Sequence, residues 1–215
     1  MADTAIEKTY KLIRDSIYSR KYEPGFHLKE EELSESLNIS RTPVRQAIRM
    51  LADEGLVCIR ENRRSHVADI KDEDMEIIFD LIAMVESYSA GIAATKITEE
   101  QLSKLKEIQD TLERGDHEND VEFLEANYEF HNTIHQAAGS RTIRKLVKQV
   151  INLSAICYLK VGVHTENETA INQHREIIDA LEMGDSDFAA LKMRVHIETV
   201  RQQYREILRE QENEL

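Results

Sequence analysis

The stretch from Asn38 to Leu56 limits the fold more than any other part of the chain. It reads as a short helix with Thr42 as N-cap and Pro43 as first helical residue, where the missing N–H costs nothing. Val44, Ala47, Ile48 and Leu51 then share one side at helical spacing, while Arg41, Arg45 and Arg49 recur every four residues on the other. Gly55 stops the helix. No acidic residue lies between Asn38 and Ala52, in a chain of 215 residues with a formal net charge of -13. A local basic stripe in an acidic protein points to a local partner, and the phosphate backbone of a nucleic acid is the one it fits.

The charge is divided unevenly. Residues 1–70 hold 12 Lys+Arg and 12 Asp+Glu, so residues 71–215 hold 16 and 29 and carry the whole deficit. This asymmetry predicts two domains with different partners, 1–70 and 71–215. Seven Gly, two Pro and 32% charged residues favour helices over sheets, and the absence of Trp argues against base-stacking single-strand binding. Two cysteines, Cys58 and Cys157, make neither a disulfide framework nor a thiolate zinc site. The first ten residues lack the apolar core of a signal peptide, and no apolar run reads as a membrane span. A cytoplasmic protein is the expectation.

In the first seventy residues, Thr4–Ser19 reads as an amphipathic helix with Ile6, Tyr10, Ile13 and Ile17 on one stripe. Pro24-Gly25 marks a turn. A second helix, Lys29–Leu37, buries Leu33 and Leu37, and Asn38 to Ser40 leads tightly into the arginine helix. Two short helices joined in this way, the second one basic, form a helix-turn-helix. Leu56–Ile59 and the run ending at Val67 read as a hairpin, with Asn62 taking the left-handed turn position and Arg60, Arg63 and Arg64 at the tip. A basic hairpin in that place is a wing.

Beyond Lys71 there is no strand signal and no proline. Six helices are expected, at Asp72–Thr95, Glu99–Gly115, Asp120–Ala138, Thr142–Val163, Glu166–Gly184 and Ser186–Glu210, forming an antiparallel bundle. The fold class is therefore mainly α: a winged helix-turn-helix followed by an all-α bundle. Asn127 and His131 lie four apart on one helix, His174 lies between Ile171 and Ile178, and His196 lies between Met193 and Val200. Each faces inward. A single inward histidine is ordinarily a core residue with a satisfied partner, but three on separate helices suggest convergence on a divalent metal ion. Three imidazoles suit Zn, Ni or Mn, and also Co or Fe, and leave positions open for a ligand. His131-Asn-Thr-Ile-His135 has the histidine spacing of a zinc protease but carries Asn132 where the general base belongs, so hydrolysis is not expected.

Pro24-Gly25, Leu28, Glu32-Leu33, then Ser40-Arg-Thr-Pro-Val-Arg45 with Ala47, Leu51 and Gly55-Leu56 resemble the winged-helix domain of GntR-type transcription regulators. The resemblance implies operator contacts from Arg41, Thr42, Arg45 and Arg49, with Arg63 and Arg64 on the wing. Asn62-Arg63-Arg64 departs from the glycine-rich wing tip of the family. Phe130-His131, Ala138-Gly139-Ser140, His174-Arg175 with Ile177 and Ala180, Gly184-Asp185 and His196 resemble the FCD ligand-binding domain of the FadR branch. That implies a divalent cation held by Asn127, His131, His174 and His196, with Asn127 replacing a carboxylate. It also implies an effector near Glu86, although Ile82 stands where the family often has arginine. A homodimeric regulator on a palindromic operator, answering to a small organic acid, follows from the resemblance. A regulator without metal, whose second domain only dimerises, is the alternative.

Overall fold

A computed structural model describes residues 4–61, 63–114, 120–139, 156 and 168–213. The chain divides into two compact units, Met1–Lys71 and Asp72–Leu215.

The first unit opens with α1 (Ala5–Tyr18), started by a capping box. Thr4 Oγ1 accepts the Glu7 N–H at 3.2 Å and the Glu7 carboxylate accepts the Thr4 N–H at 2.7 Å. Ile13, Ile17 and Tyr18 are buried, while Ile6 and Tyr10 are half-buried. α2 (Glu30–Leu37) places three glutamates in its first turn, where the helix dipole favours them, and ends on Asn38 in the left-handed conformation, φ 52°. Leu33 is buried but Leu37, expected in the core, is half-buried.

α3 (Arg41–Asp53) starts two residues earlier than Thr42 as N-cap would require. Ser40 is the cap residue, with extended backbone and no side-chain bond, and Pro43 is the third helical residue. Its missing N–H is still one of the four that a helix leaves unbonded. Val44, Ala47, Ile48 and Leu51 are buried as their spacing predicts. Gly55, φ +83°, closes the helix, with the Leu56 N–H on the Leu51 carbonyl at 3.0 Å. The Tyr10 hydroxyl donates to the Glu54 carboxylate at 2.6 Å and ties α1 to this end of α3.

The wing is a sheet of three strands rather than a two-stranded hairpin. β2 (Val57–Ile59) and β3 (Ser65–Val67) pair antiparallel with Cys58 opposite His66, and β1 (His27–Leu28) adds to the other edge of β3 with His27 opposite His66. Two residues carry no alternation, so β1 had no sequence signal. Arg63 takes a left-handed conformation at the tip, φ 59°, whereas the expectation for Asn62 lies outside the described residues.

In the second unit, α4 (Asp72–Ala94) packs on α8 (Ser186–Asn213), α6 (Asp120–Ala138) and α7 (Glu168–Glu182). α5 (Glu99–Arg114) packs on α6 and α7. The expected helix at Thr142–Val163 lies outside the described residues, except for Ile156, which is helical and buried. Thr98 and Gln101 form a second capping box before α5. Phe79, Ile82, Leu105, Leu124, Phe130, Ile134, Ile177 and Met193 make up much of the core. Gly91 lets α4 approach α8: a Cβ there would meet the Ser186 carbonyl oxygen at 3.0 Å. One stretch, Glu73–Ala94, is apolar enough to span a membrane, with a mean hydropathy of 1.5 over 18 residues, against the expectation that no run would be. Half of that window is buried inside the bundle, and the only charged side chain from Leu81 to Ala94 is the buried Glu86, which marks a core helix.

Candidate functional site

Two groups of side chains carry chemistry, one in each unit. In the first unit, Arg41, Thr42, Arg45 and Arg49 are all exposed on α3. They are not unaccompanied. Arg45 donates from Nε and Nη2 to the Glu30 carboxylate at 2.8–3.1 Å, and Arg41 pairs with Glu31. The Glu30 hydrogen bond and charge raise the Arg45 guanidinium above its ordinary value. These partners sit at the start of α2, more than nine residues away in sequence. The Glu30-Glu31-Glu32 run shows carboxylates nearby, but nothing in the sequence pairs them with these arginines. A groove of about 730 Å³ opens between α2, α3 and the wing, lined by Glu30, Arg45, Ile48, Arg49, Ile59, Arg63 and Ser65. Arg63 and Arg64 are exposed at the tip, where the Arg60 N–H reaches the Arg64 carbonyl at 3.0 Å. Behind it, the rings of His27 and His66 stack 4.8 Å apart. Burial, then the charges of His66, Lys29 and Arg64, hold His27 below its ordinary value.

In the second unit, four helices bring buried polar groups together: Glu86 from α4, His131 and His135 from α6, His174 from α7 and His196 from α8; Asn127 of α6 is buried as well. One nitrogen from each of His131, His174 and His196 falls within 4.8 Å of the other two. His174 Nε2 lies 3.3 Å from His196 Nε2, and the Phe130 ring stacks on His174 at 4.0 Å. Glu86 lies 3.1 Å from His131 Nδ1 through one oxygen and 3.1 Å from His135 Nε2 through the other. An ionised carboxylate only accepts, so both of those nitrogens donate to Glu86, which leaves His131 Nε2 as the nitrogen facing His174 and His196 that a cation would engage. Burial would raise the Glu86 carboxyl, but His135 and then His131, by charge and hydrogen bond, outweigh it and keep it ionised. His174 is pushed well below the ordinary imidazole value by burial, with His196 and His131 adding to it. Burial also pushes His196 down, to about 3. Both are therefore neutral at pH 7.

The donor set fits a divalent transition ion. The imidazoles of His174 and His196 are neutral, and their Nδ1 atoms are buried without a partner among the described residues. Two facing Nε2 atoms can share one proton, but they leave no role for the third imidazole. A cation among the three nitrogens would engage every lone pair. Glu86 on His131 is the outer-shell carboxylate that fixes a ligating imidazole. His135, the second histidine of the protease-like spacing, holds the other oxygen of Glu86. Asn127 is buried one turn before His131 and can offer a neutral oxygen.

Comparison with known proteins agrees with both units. Residues 5–67 match the family model described as bacterial regulatory proteins, gntR family, and residues 76–199 match the FCD domain. The chain is a GntR-family transcription regulator with an FCD domain. Its family consists of regulators and not enzymes. It is 30% identical over 199 residues to the uncharacterized HTH-type transcriptional regulator in unstable DNA locus of Streptomyces ambofaciens, covering 89% of this regulator and 81% of that one. It is 27% identical over 209 residues to the HTH-type transcriptional repressor RspR of Escherichia coli K12, covering 95% and 90%. The solved structure of E. coli McbR/YncC shares the fold, with a TM-score of 0.76 at 16% identity over 95% of this regulator and 99% of that chain.

Proposed function

We propose that this regulator is a cytoplasmic, homodimeric repressor that releases a palindromic operator when a small organic acid binds beside a divalent cation in its FCD domain. The observation that carries this reading is the approach of His131, His174 and His196 nitrogens to within 4.8 Å in a buried site. His131, His174 and His196 would hold the ion, with Asn127 as a further neutral oxygen donor. A cation there supplies Lewis-acid positions that favour oxygen ligands such as a carboxylate. Glu86 has both oxygens engaged by His131 and His135, so it acts through those imidazoles rather than by gripping the effector itself. Arg41, Thr42, Arg45 and Arg49 read the major groove, and Arg63 and Arg64 reach phosphate or the minor groove. Repression is the role named for RspR, which the regulator matches over 95% of its length.

For the effector to act, it must favour one arrangement of the two recognition helices over another by a few kcal/mol. The test is fluorescence anisotropy on operator DNA titrated with a panel of organic acids. A subset of acids should lower affinity for operator at least tenfold in the wild type, and His174→Ala should still bind operator but lose that response. An unchanged response in His174→Ala would overturn the site. The 3.3 Å contact between His174 and His196 also supports a second reading, a metal-free core in a domain that only dimerises. Under that reading chelator leaves the melting temperature unchanged.

A further inference from the structure

The outer face of the wing sheet carries a row of donor side chains that the proposed DNA contacts leave out. Strand register sets His27 of β1 and Cys58 of β2 opposite His66 of β3, one on either side. Opposed residues of an antiparallel ladder share a face. Leu28, Ser65 and Val67, on the other face, are buried, so the row lies on the side away from the core. His27 and His66 are half-buried, and Cys58 is an exposed free thiol. The two rings lie nearly parallel, 16° apart, with centroids separated by 4.8 Å. His66 Nδ1 is buried without a hydrogen-bond partner among the described residues. No spacing in the sequence shows this row, because its members lie on three strands and only the register gathers them. Two cysteines alone make no zinc site, but one thiolate beside two imidazoles offers three donors.

We infer that His27, His66 and Cys58 form a second metal site, on the wing, that takes a zinc ion from solution. Nitrogen and sulfur donors suit zinc, whereas magnesium and calcium take oxygen. Neighbouring strands lie about 4.8 Å apart, and zinc bonds are about 2.1 Å to nitrogen and about 2.3 Å to sulfur. An ion seated over His66 is therefore within reach of a donor on each side. Among the described residues only the bundle cluster has three donors within 4.8 Å as it stands, so the wing row closes on its ion by side-chain rotation. The outer torsion of a histidine is soft enough to turn one nitrogen of each stacked ring toward it. His27, held below its ordinary value, is neutral at pH 7 and keeps a lone pair. Of the cations near it, Lys29 is paired with Glu32. β1 leads directly into α2, whose cap residue is Lys29, so an ion on the row ties the wing to the helix-turn-helix. The row is open to water, unlike the buried cluster of the second unit. Its ion exchanges freely and is lost on purification, so the site is filled by added metal.

The test uses the full chain, stripped of metal by chelator, kept reduced, and titrated with cobalt(II) as a coloured stand-in for zinc. A thiolate bound to cobalt gives a charge-transfer band in the near ultraviolet. Nitrogen and oxygen donors alone, as in the bundle cluster, do not, so the readout is independent of any metal in the second unit. The wild type should show the band, and added zinc should bleach it. Cys58→Ser should lose it, while Cys157→Ser, which removes the other cysteine of the chain, should keep it. Loss of an outer-shell partner already lowers metal affinity about 10–100-fold, so His27→Gln/His66→Gln should weaken cobalt binding at least about tenfold. Circular dichroism verifies folding, and His27→Gln alone, on the edge strand, should weaken binding in the same direction if the double variant unfolds. A wild type without the band overturns the site. So does a band that survives Cys58→Ser, or a cobalt affinity unchanged in both histidine variants.

Discussion

Arg45 stands between two carboxylate-like partners: Glu30 in the free chain and, in the proposed complex, the acceptor edge of a base. The pair with Glu30 is exposed, so its contribution is small, and a guanine edge in a drier groove can displace it. Arg45→Ala should cost about 1–3 kcal/mol of operator affinity and relax discrimination at one base position. Arg63→Ala should weaken binding evenly across sequences and lower the slope of log affinity against log salt by about 1. Anisotropy titrations on operator and scrambled duplexes at several salt concentrations separate the two. Equal losses on both duplexes for Arg45→Ala would remove it from base reading. In the histidine cluster, Glu86→Gln should weaken metal binding by about 10–100-fold through loss of its hold on His131, as read by competition with a chromogenic chelator.

At this level the sequence was legible in part. His131, His174 and His196 could be brought together because each falls on an apolar helical stripe. Glu30 and Glu31 as partners of Arg45 and Arg41 could not, because a contact across a turn depends on how two helices cross, and periodicity carries no record of that. The engagement of His135 by Glu86 was hidden for the same reason.

Most helices were legible because apolar residues recur at helical spacing and Thr98, Gly139 and Gly184 punctuate them. The start of α3 was less so: Ser40 and Thr42 are both cap formers, and proline is tolerated anywhere among the first unbonded N–H groups. The close approach of α4 and α8 at Gly91 gives a prediction of its own. Gly91→Ala gains up to about 1 kcal/mol of helix propensity, which offsets part of the clash with the Ser186 carbonyl. Gly91→Val gains less and overpacks more, so it should destabilise the bundle by about 1–3 kcal/mol in thermal melts. A Gly91→Val protein melting with the wild type would show that the seam can open.

The metal-free bundle should also lose stability on acidification. His174 and His196 are depressed in the folded chain, so the unfolded chain takes up protons first as pH falls through about 6.5. Their contribution is complete above that pH and is lost progressively below it. Glu86 is depressed too, and its contribution is lost only below the ordinary carboxylate range. Chelator-treated protein should therefore melt at lower temperature at pH 5 than at pH 7. Equal melting temperatures would contradict the buried, neutral state of the two imidazoles.

Taken whole, the chain joins a neutral unit with an arginine face to an acidic unit with a buried imidazole cluster. The charge division between residues 1–70 and 71–215 follows that plan: the DNA-reading unit carries no net charge, and the second unit carries the whole deficit of -13. What makes the second unit a sensor rather than ballast is the proposed cation on His131, His174 and His196. Elemental analysis of natively purified protein by inductively coupled plasma mass spectrometry, run beside His174→Ala, addresses this directly. The wild type should carry about one transition-metal ion per chain, since a three-imidazole site holds a single ion, and His174→Ala should carry almost none. A wild type with no bound metal, whose melting temperature moves with neither chelator nor added zinc, would contradict it.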